Sequence, residues 1–580
     1  MKTFAVDFET YYDKECSIKT LGLDGYVRHP AFDAYMVTVV GDDGTRYAGR
    51  PEDFDWSMCN GATVLSHNAS FDAGVYTYLS GKGTLPVCQP AVWECTSDMA
   101  AYLGSPRNLA ASSKSLLGVE ISKTVRDEMM GQQWHTMTPE FQKSVLEYAT
   151  MDAELCLRLW TEHSHKWPEH ERRISRLTRE SGWNGLAIDC DGVTQDIEKL
   201  EALLATLKSR IPWSSFAAVL SKTQLNKFLL DEGIEPPACL DKKDPATNAW
   251  VEAHPDITWV RDMWDYRSAS VLLKKLTDIL RRVRLSDGRM GYGMKYAGAH
   301  TLRDSGDSGI NIQNLPRGEV LGVNLRKRIV AKPGHSFVAC DLGAIEPRAL
   351  TYLARDYDTL EAAKQVSDWY EAQARAWGLY SDERPLKVGD PNLRHMVKGM
   401  SIGLGYMMSA NKYASVTGKT QAESEQIVQL FRAKNPKIVR LWSILNNGAE
   451  RSRGGNFSVT LPSGRDVCYH DVRKDSTGTS AVMVKNGMFL RLKIWPGLIV
   501  ENLTQAFSRD IFMNRVLAVK DAGYNVVLRV HDEVVIEVPD EQAKQAAADM
   551  VRIMTTSPDW CQDLPLAAEA KIGKTYFDAK

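Results

Sequence analysis

Asn525-Val-Val-Leu-Arg-Val-His-Asp-Glu-Val-Val-Ile-Glu-Val538 is the stretch that decides the fold. Two runs rich in β-branched residues flank His531-Asp532-Glu533, which predicts two half-buried strands joined by a charged hairpin tip. Neighbouring acids at a tight turn repel each other. A divalent cation, which takes hard oxygen ligands from carboxylates and phosphates, gives such an arrangement a use. Alone, a His-Asp-Glu reads as a charged turn facing water, so the rest of the chain has to decide.

With 580 residues the chain is too long for one core and predicts several compact units. Hydrophobic residues at 44% and charged residues at 25% are ordinary for a soluble globular protein. The net charge of −2 excludes a globally basic polymer-binding protein, so any nucleic-acid surface must come from local clustering. Ten cysteines with no Cys-x-x-Cys pair argue against a zinc ribbon or disulfide framework and for a reducing cytoplasmic setting. His163, His165 and His170 have no cysteine partners nearby and read as solvated residues of a connector. The N-terminus has an acid where a signal peptide needs its apolar region, and no run reaches membrane-spanning length. The expectation is an intracellular protein without membrane association.

Phe4-Ala-Val-Asp-Phe-Glu9 has strand composition, and a period of two puts Asp7 and Glu9 on one face. Val64 to Asp72 sets another acid just after a buried strand end. Phe141 to Leu159 has helical spacing, with Tyr148 and Asp152 four apart on one face. In order, Asp7-x-Glu9, Asn68-x-x-x-Asp72 and Tyr148-x-x-x-Asp152 resemble the three motifs of the DnaQ-like 3′→5′ exonucleases. The resemblance implies that Asp7, Glu9, Asp72 and Asp152 hold two metal ions and that Tyr148 positions the attacking water. It also implies a ribonuclease-H-like α/β domain over residues 1–165.

Residues 160–175 are polar and carry Pro168, as expected of a handover between units. Asp196 to Leu207 and Val271 to Arg284 have apolar residues at helical intervals. Arg281-Arg-Val-Arg284 is the densest basic cluster of that region and is expected to meet a phosphate backbone.

Ser336-Phe-Val-Ala-Cys-Asp341 reads as a strand ending in an acid, followed by a helix from Glu346 with Pro347 in its first turn. Arg394, Lys398 and Ile402 form one helix stripe, with cations suited to phosphoryl oxygens. Two strand-end acids, Asp341 and Asp532, plus a cationic helix are the minimum equipment for nucleotidyl transfer. These segments, Asp341 to Arg348, Arg394-x-x-x-Lys398-x-x-x-Ile402-Gly-x-x-Tyr406 and His531-Asp-Glu533, resemble motifs A, B and C of the family A DNA polymerases. Thr301, Arg303 and Asn311-Ile-Gln-Asn-Leu-Pro316 are similar to the family's primer–template segment. Glu501 to Asp510 is similar to its helix before motif C in phage members.

The resemblance implies a right-hand polymerase over 166–580, with a helical thumb (about 190–290), a palm (about 291–355 and 500–580) and helical fingers (about 356–499). It implies that Asp341, Asp532 and the Leu342 backbone bind two Mg²⁺ ions, replaceable by Mn²⁺, with Glu533 assisting. Arg394 and Lys398 hold the triphosphate, Lys398 being the acid for pyrophosphate, and Ile402 and Tyr406 line the nucleotide pocket. Glu346 is the steric gate against ribose, and His531 touches the primer terminus. Arg303 and Gln505 monitor the minor groove, and Gln313, Asn314 and Arg348 also contact DNA. Partners are primer–template DNA and dNTPs, acting on a monomer in the host-cell cytoplasm if a phage encodes the chain.

Two departures stand out. Leu342-Gly-Ala344 replaces the family's usual Tyr-Ser-Gln, which takes away the polar brace expected beside Glu346. Ile402 replaces an aromatic residue. Two alternatives follow: a polymerase specialised for 2-aminoadenine in place of adenine, and a 3′→5′ exonuclease whose C-terminal half binds DNA without catalysis. Because the chain opens on the exonuclease motifs, no 5′ nuclease or helicase is expected.

Overall fold

The period of two is realised in β1 (Thr3–Glu9), with Phe4, Val6 and Phe8 buried and Asp7 and Glu9 half-buried on the other face. The computed structural model describes residues 2–121, 124–307, 310–366, 368–485 and 487–580. β1 pairs antiparallel with β2 (Met36–Gly41), which carries β3 (Arg46–Gly49) on its outer edge. On its other side it pairs parallel with β4 (Thr63–Ser66), and β5 (Val92–Cys95) follows in parallel, giving the order β3-β2-β1-β4-β5. α1 (Ala69–Gly81) leaves β4 through Asn68, whose φ of 102° turns the chain sharply. α2 (Pro139–His163), capped by Thr138, crosses β1 and β2.

The stretch 160–175 is solvated at His165, Lys166, Glu169 and His170, as its polarity predicts, but not throughout. Trp167 and Glu171 are buried, because α3 (Glu169–Asn184) is wedged between two units. Toward the N-terminal sheet, Ser175 donates to Asp98 (2.5 Å) and Arg176 pairs with Glu94. Toward the rest of the chain, Glu171 receives Arg509 Nη2 at 2.8 Å and the Tyr296 hydroxyl at 2.6 Å.

α4 (Cys190–Arg210) and α5 (Trp259–Arg282) pack along each other through Val193, Leu200, Leu272, Leu276 and Ile279. The basic cluster at the end of α5 departs from its expected phosphate contact. Arg284 is buried, donating to the Trp183 and Asn184 carbonyls (2.8 Å each) and pairing with Asp287. Arg282 is also buried, and Arg281 alone of the three is exposed.

β6 (His335–Leu342) leads through Ala344, at φ 52°, into α6 (Ile345–Leu353). After α7 (Pro391–Gly399), the region expected to be helical fingers contains a four-stranded antiparallel sheet. Its strands are β7 (Phe457–Thr460), β8 (Asp466–Asp475), β9 (Gly478–Lys485) and β10 (Met488–Lys493). Alternation there runs Ser480-Ala-Val-Met-Val484 and Phe489-Leu-Arg-Leu-Lys493, the strand period that helix-based reading passed over.

α8 (Pro496–Asp521) precedes the decisive hairpin, β11 (Val526–Val530) and β12 (Glu533–Pro539), joined by His531 and Asp532. With β6 and β13 (Ala568–Gly573) they form an antiparallel sheet of order β11-β12-β6-β13. The hairpin strands are fully buried rather than half-buried, since the sheet is covered on both faces. α9 (Ala543–Thr555) covers one of them. Even Arg529 is interior, pairing with Asp304 (2.8 Å) and Thr178 of α3 (2.7 Å).

Burial alone would raise the Glu171 carboxyl, but Arg509 and Tyr296 hold it down to about 2 against an ordinary 4.5. Its contribution to stability is therefore full above about 4.5 and is lost as pH falls through about 2. Arg509→Met leaves a buried uncompensated carboxylate and is expected to cost about 3–5 kcal/mol in urea unfolding at neutral pH. An unchanged midpoint would contradict this account.

Candidate active sites

The N-terminal acids meet because β1, α1 and α2 bring them to one face of the sheet. Asp72 is buried in the first turn of α1 and accepts the Phe8 amide at 3.0 Å, which docks α1 against β1 between Asp7 and Glu9. Burial, then Glu9, Asp72 and Asp152, push the Asp7 carboxyl well above its ordinary range. Burial and then Asp152 raise Glu9 to about 8, and burial raises Asp72 to about 7. Tyr148 is raised by burial and by Asp152, one turn along α2. One cation that the sequence did not single out, Arg126, opposes the charge on Asp7 and Glu9. Its segment is fastened by the Tyr12 hydroxyl, which donates to the Arg126 carbonyl at 2.6 Å. His67, beside Asn68, bridges Thr96 (3.0 Å) and the Arg107 carbonyl (2.7 Å) and so fixes the start of α1.

The second cluster lies at the end of the hairpin sheet. Cross-strand register places Asp341 opposite Glu533, and the Leu342 amide donates to the Asp532 carbonyl at 3.1 Å. Asp341 and Asp532, 191 positions apart in sequence, are thus brought side by side by the backbone ladder. The Asp341 side chain is open to water on one side and crowded on the other by Asp532, Glu533 and Lys580. Burial and then Asp532 raise its carboxyl to about 6, against the opposing charge of Lys580. Asp532 is raised too, mainly by burial. His531 takes a positive φ of 57° in the two-residue turn, and burial with Arg303 depresses its imidazole.

Glu533 departs from its expected assisting role. It is 1% exposed, and both its oxygens are occupied, by the Tyr576 hydroxyl and by Lys580 Nζ at 2.7 Å each. It anchors the segment after β13 beneath the acids rather than reaching into the cleft.

Glu346, in the first turn of α6, is held from two sides. Arg303 Nη2 donates to one oxygen at 2.6 Å and the Tyr406 hydroxyl to the other at 2.7 Å. The brace that Leu342-Gly-Ala344 takes away is therefore supplied by two other segments. Gln505 of α8 donates to Glu501 (3.2 Å), whose carboxyl is raised by burial and by the charge of Glu346. Arg394 pairs with Asp368 and lies 5.3 Å over the Tyr370 ring. Tyr370 in turn feels Arg394, Asp532 and Glu346 together, which ties α7 to the acid cleft. Lys398 is exposed on α7. The helix then widens into a π turn, Met400–Leu404, so Ile402 is carried off the stripe that strict four-residue spacing predicts.

Gln313 and Asn314 sit in a short surface turn, Ile312–Asn314, packed on β11. Arg348 is not available for DNA. It is 3% exposed, donates to the carbonyls of Gly343 (3.0 Å) and Pro565 (2.9 Å), and lies over Trp369. Burial lowers its guanidinium to about 10, and its role is to pin the turn after Asp341. Arg317, Tyr576 and Lys580, which act on this cleft, carry no sequence signal, since only folding brings them near.

Among the described residues no three His, Cys, Asp or Glu side chains form a ready coordination sphere for an ion. The backbone nevertheless gathers hard oxygen donors whose burial and then mutual repulsion raise their pKa values, and that donor set suits divalent cations.

The family model for DNA polymerase family A matches residues 192–578. A Bacillus phage SP02 DNA polymerase is 23% identical, covering 99% of this chain and 100% of that protein. The thermostable DNA polymerase I of Thermus filiformis is 27% identical over 76% of this chain, which spans 52% of that protein. The chain thus covers about half the length of that bacterial relative and the whole of the phage one. The solved polymerase domain of Mycobacterium smegmatis Pol1, in complex with DNA primer–template and dNTP, superposes with a TM-score of 0.72 at 19% identity, covering 100% of this chain and 96% of that one.

Since Glu9 titrates near 8 when folded and at an ordinary 4.5 otherwise, the native state holds the extra proton across that interval. Without divalent ions, stability is expected to fall as pH rises from about 4.5 to about 8. Glu9→Gln should flatten the slope and millimolar Mg²⁺ should offset it. A thermal midpoint that ignores pH in this range would argue against the cluster.

Proposed function

The chain belongs to DNA polymerase family A, and we propose that it is a template-directed DNA polymerase with its own 3′→5′ proofreading nuclease, serving phage replication. The observation that carries the reading is the Leu342–Asp532 ladder bond, which sets the acids of two distant motifs at one cleft beside a cationic helix. The ribonuclease-H-like unit corresponds to residues up to about 165, the thumb to about 190–290, the palm to about 291–355 and 500–580, and the fingers, with their sheet, to about 356–499. No helix among the described residues is long and apolar enough to cross a membrane.

Asp341, Asp532 and the Leu342 carbonyl would hold two divalent ions, Mg²⁺ or Mn²⁺. Bound there, such ions would stabilise the negative charge of the entering 3′ oxygen and of the leaving pyrophosphate. Arg394 exchanges the Asp368 carboxylate for triphosphate oxygens, and exposed Lys398 binds alongside and gives its proton to pyrophosphate. Glu346, held rigid by Arg303 and Tyr406, closes the space a ribose 2′-hydroxyl needs. Ile402 offers the sugar an aliphatic surface. His531 contacts the primer terminus, and Arg303 and Gln505 face the minor groove, with Gln313 and Asn314 on the duplex. In the N-terminal unit, Asp7, Glu9, Asp72 and Asp152 would hold the ions and Tyr148 orients the water that attacks the terminal phosphodiester.

Asp532→Ala should lower primer extension with dNTPs and Mg²⁺ by at least about 100-fold while leaving 3′ degradation of single strands intact. Asp7→Ala with Glu9→Ala should do the reverse. If the unaltered protein fails to extend a primer, or if one substitution abolishes both activities, the two-site reading is wrong.

A further inference from the structure

Outside the two acid clusters, the feature left without a role is the outer face of the β7–β10 sheet. Cross-strand register sets Lys493, Ser480 and Arg473 in one row, Arg491, Val482 and His470 in the next, and Phe489 beside Val484 in a third. Ala481 and Met483, which point the other way, are buried in the core, so these rows face outward. Phe489 is 44% exposed there. Residues 457–495 hold six Lys and Arg against three Asp and no Glu, and with Arg465 paired inside to Asp510 and Lys474 to Glu450, the cations left to the sheet are Arg473, Lys485, Arg491 and Lys493. Asp471 is shared by Arg473 (2.8 Å) and Arg491, leaving two guanidinium groups to one carboxylate, and Asp475 lies within electrostatic reach of Lys493.

The sheet reaches toward the Glu346 side of the hairpin cleft at one end and touches the N-terminal unit at the other. β10 runs through exposed Trp495 into α8, where Gly497 packs so closely on the Tyr406 carbonyl and Met407 that a side chain would collide. At the other end, His470 Nε2 lies 4.0 Å from where a Cβ on Gly104 would stand, in the N-terminal unit.

We propose that this sheet face binds single-stranded DNA, namely the unpaired template approaching the nucleotide site. The inference rests on the polymerase reading. Rows two residues apart repeat at roughly 7 Å along a strand, a spacing that suits successive phosphates of a stretched single strand. An exposed aromatic ring among cations gives a base a stacking surface without sequence preference. The end of the face beside Tyr406, the residue that braces Glu346, selects the template over other single strands.

The test measures fluorescence anisotropy of the full-length protein, without divalent ions, on one duplex carrying 5′ template overhangs of about 2 or about 12 nucleotides, below and within the site sizes of such platforms. The longer overhang should bind about 10-fold more tightly to the unaltered protein. Phe489→Ala and, separately, Arg473→Glu with Lys493→Glu should remove that gain, the latter also lowering the salt slope by roughly 1.4. Affinity for the short overhang and primer extension on it should stay unchanged. A gain that survives both variants overturns the proposal, as does no gain in the unaltered protein. It is likewise overturned if the variants weaken only substrates with an unpaired primer 3′ end, or only capture of an acidic protein. Loss of extension by the unaltered protein would instead count against the polymerase reading itself.

Discussion

Two carboxylates that repel are kept together because neither can leave its strand. Asp341 ends β6 and Asp532 closes the turn into β12, and the Leu342 amide ties the two backbones at 3.1 Å. Separating the acids would break that ladder and uncover Val338, Val534 and Ile536, all at 0% exposure. Packing on both faces of the sheet thus opposes the repulsion of the acids. The N-terminal unit uses the same arrangement, with the Phe8 amide holding Asp72 against the strand that carries Asp7 and Glu9.

The arginines divide by their partners more than by their positions. Arg282, Arg284, Arg348, Arg509 and Arg529 are all buried and donate to interior carbonyls or carboxylates. A buried guanidinium left unpaired is costly, so its donors are used up inside. Lys398 on α7 and the cations in the outer rows of the β7–β10 sheet stand instead on open surface. Charge density along the sequence does not separate these classes: at the end of α5 it counts buried Arg282 and Arg284 together with exposed Arg281.

Much of the architecture was legible where a period and a chemical type coincide. Asp7 and Glu9 share one strand face, Tyr148 and Asp152 lie one helical turn apart, and Asp341 and Asp532 each follow an apolar strand run. What was illegible depended on contacts between distant segments. Nothing near Glu346 announces Arg303 or Tyr406 as its supports, and nothing near Glu533 announces Tyr576 and Lys580. The sheet within 457–493 was legible in its alternation, but the family expectation of helices there overrode it. In the connector, composition marks the exposed His165 and His170 correctly but cannot single out Glu171 and Ser175, whose partners lie in distant segments.

That joint bears on how such chains are assembled. α3 turns Ser175 and Arg176 toward Asp98 and Glu94 and Glu171 toward Arg509, so its faces belong to different neighbours. Trading the N-terminal unit for one from another lineage would strand charge on whichever side lost its complement, unless the helix travelled with matching residues. The two halves are thus bound to diverge as a pair, and a boundary drawn in the short turn before α3 divides the text of the chain more cleanly than its electrostatics.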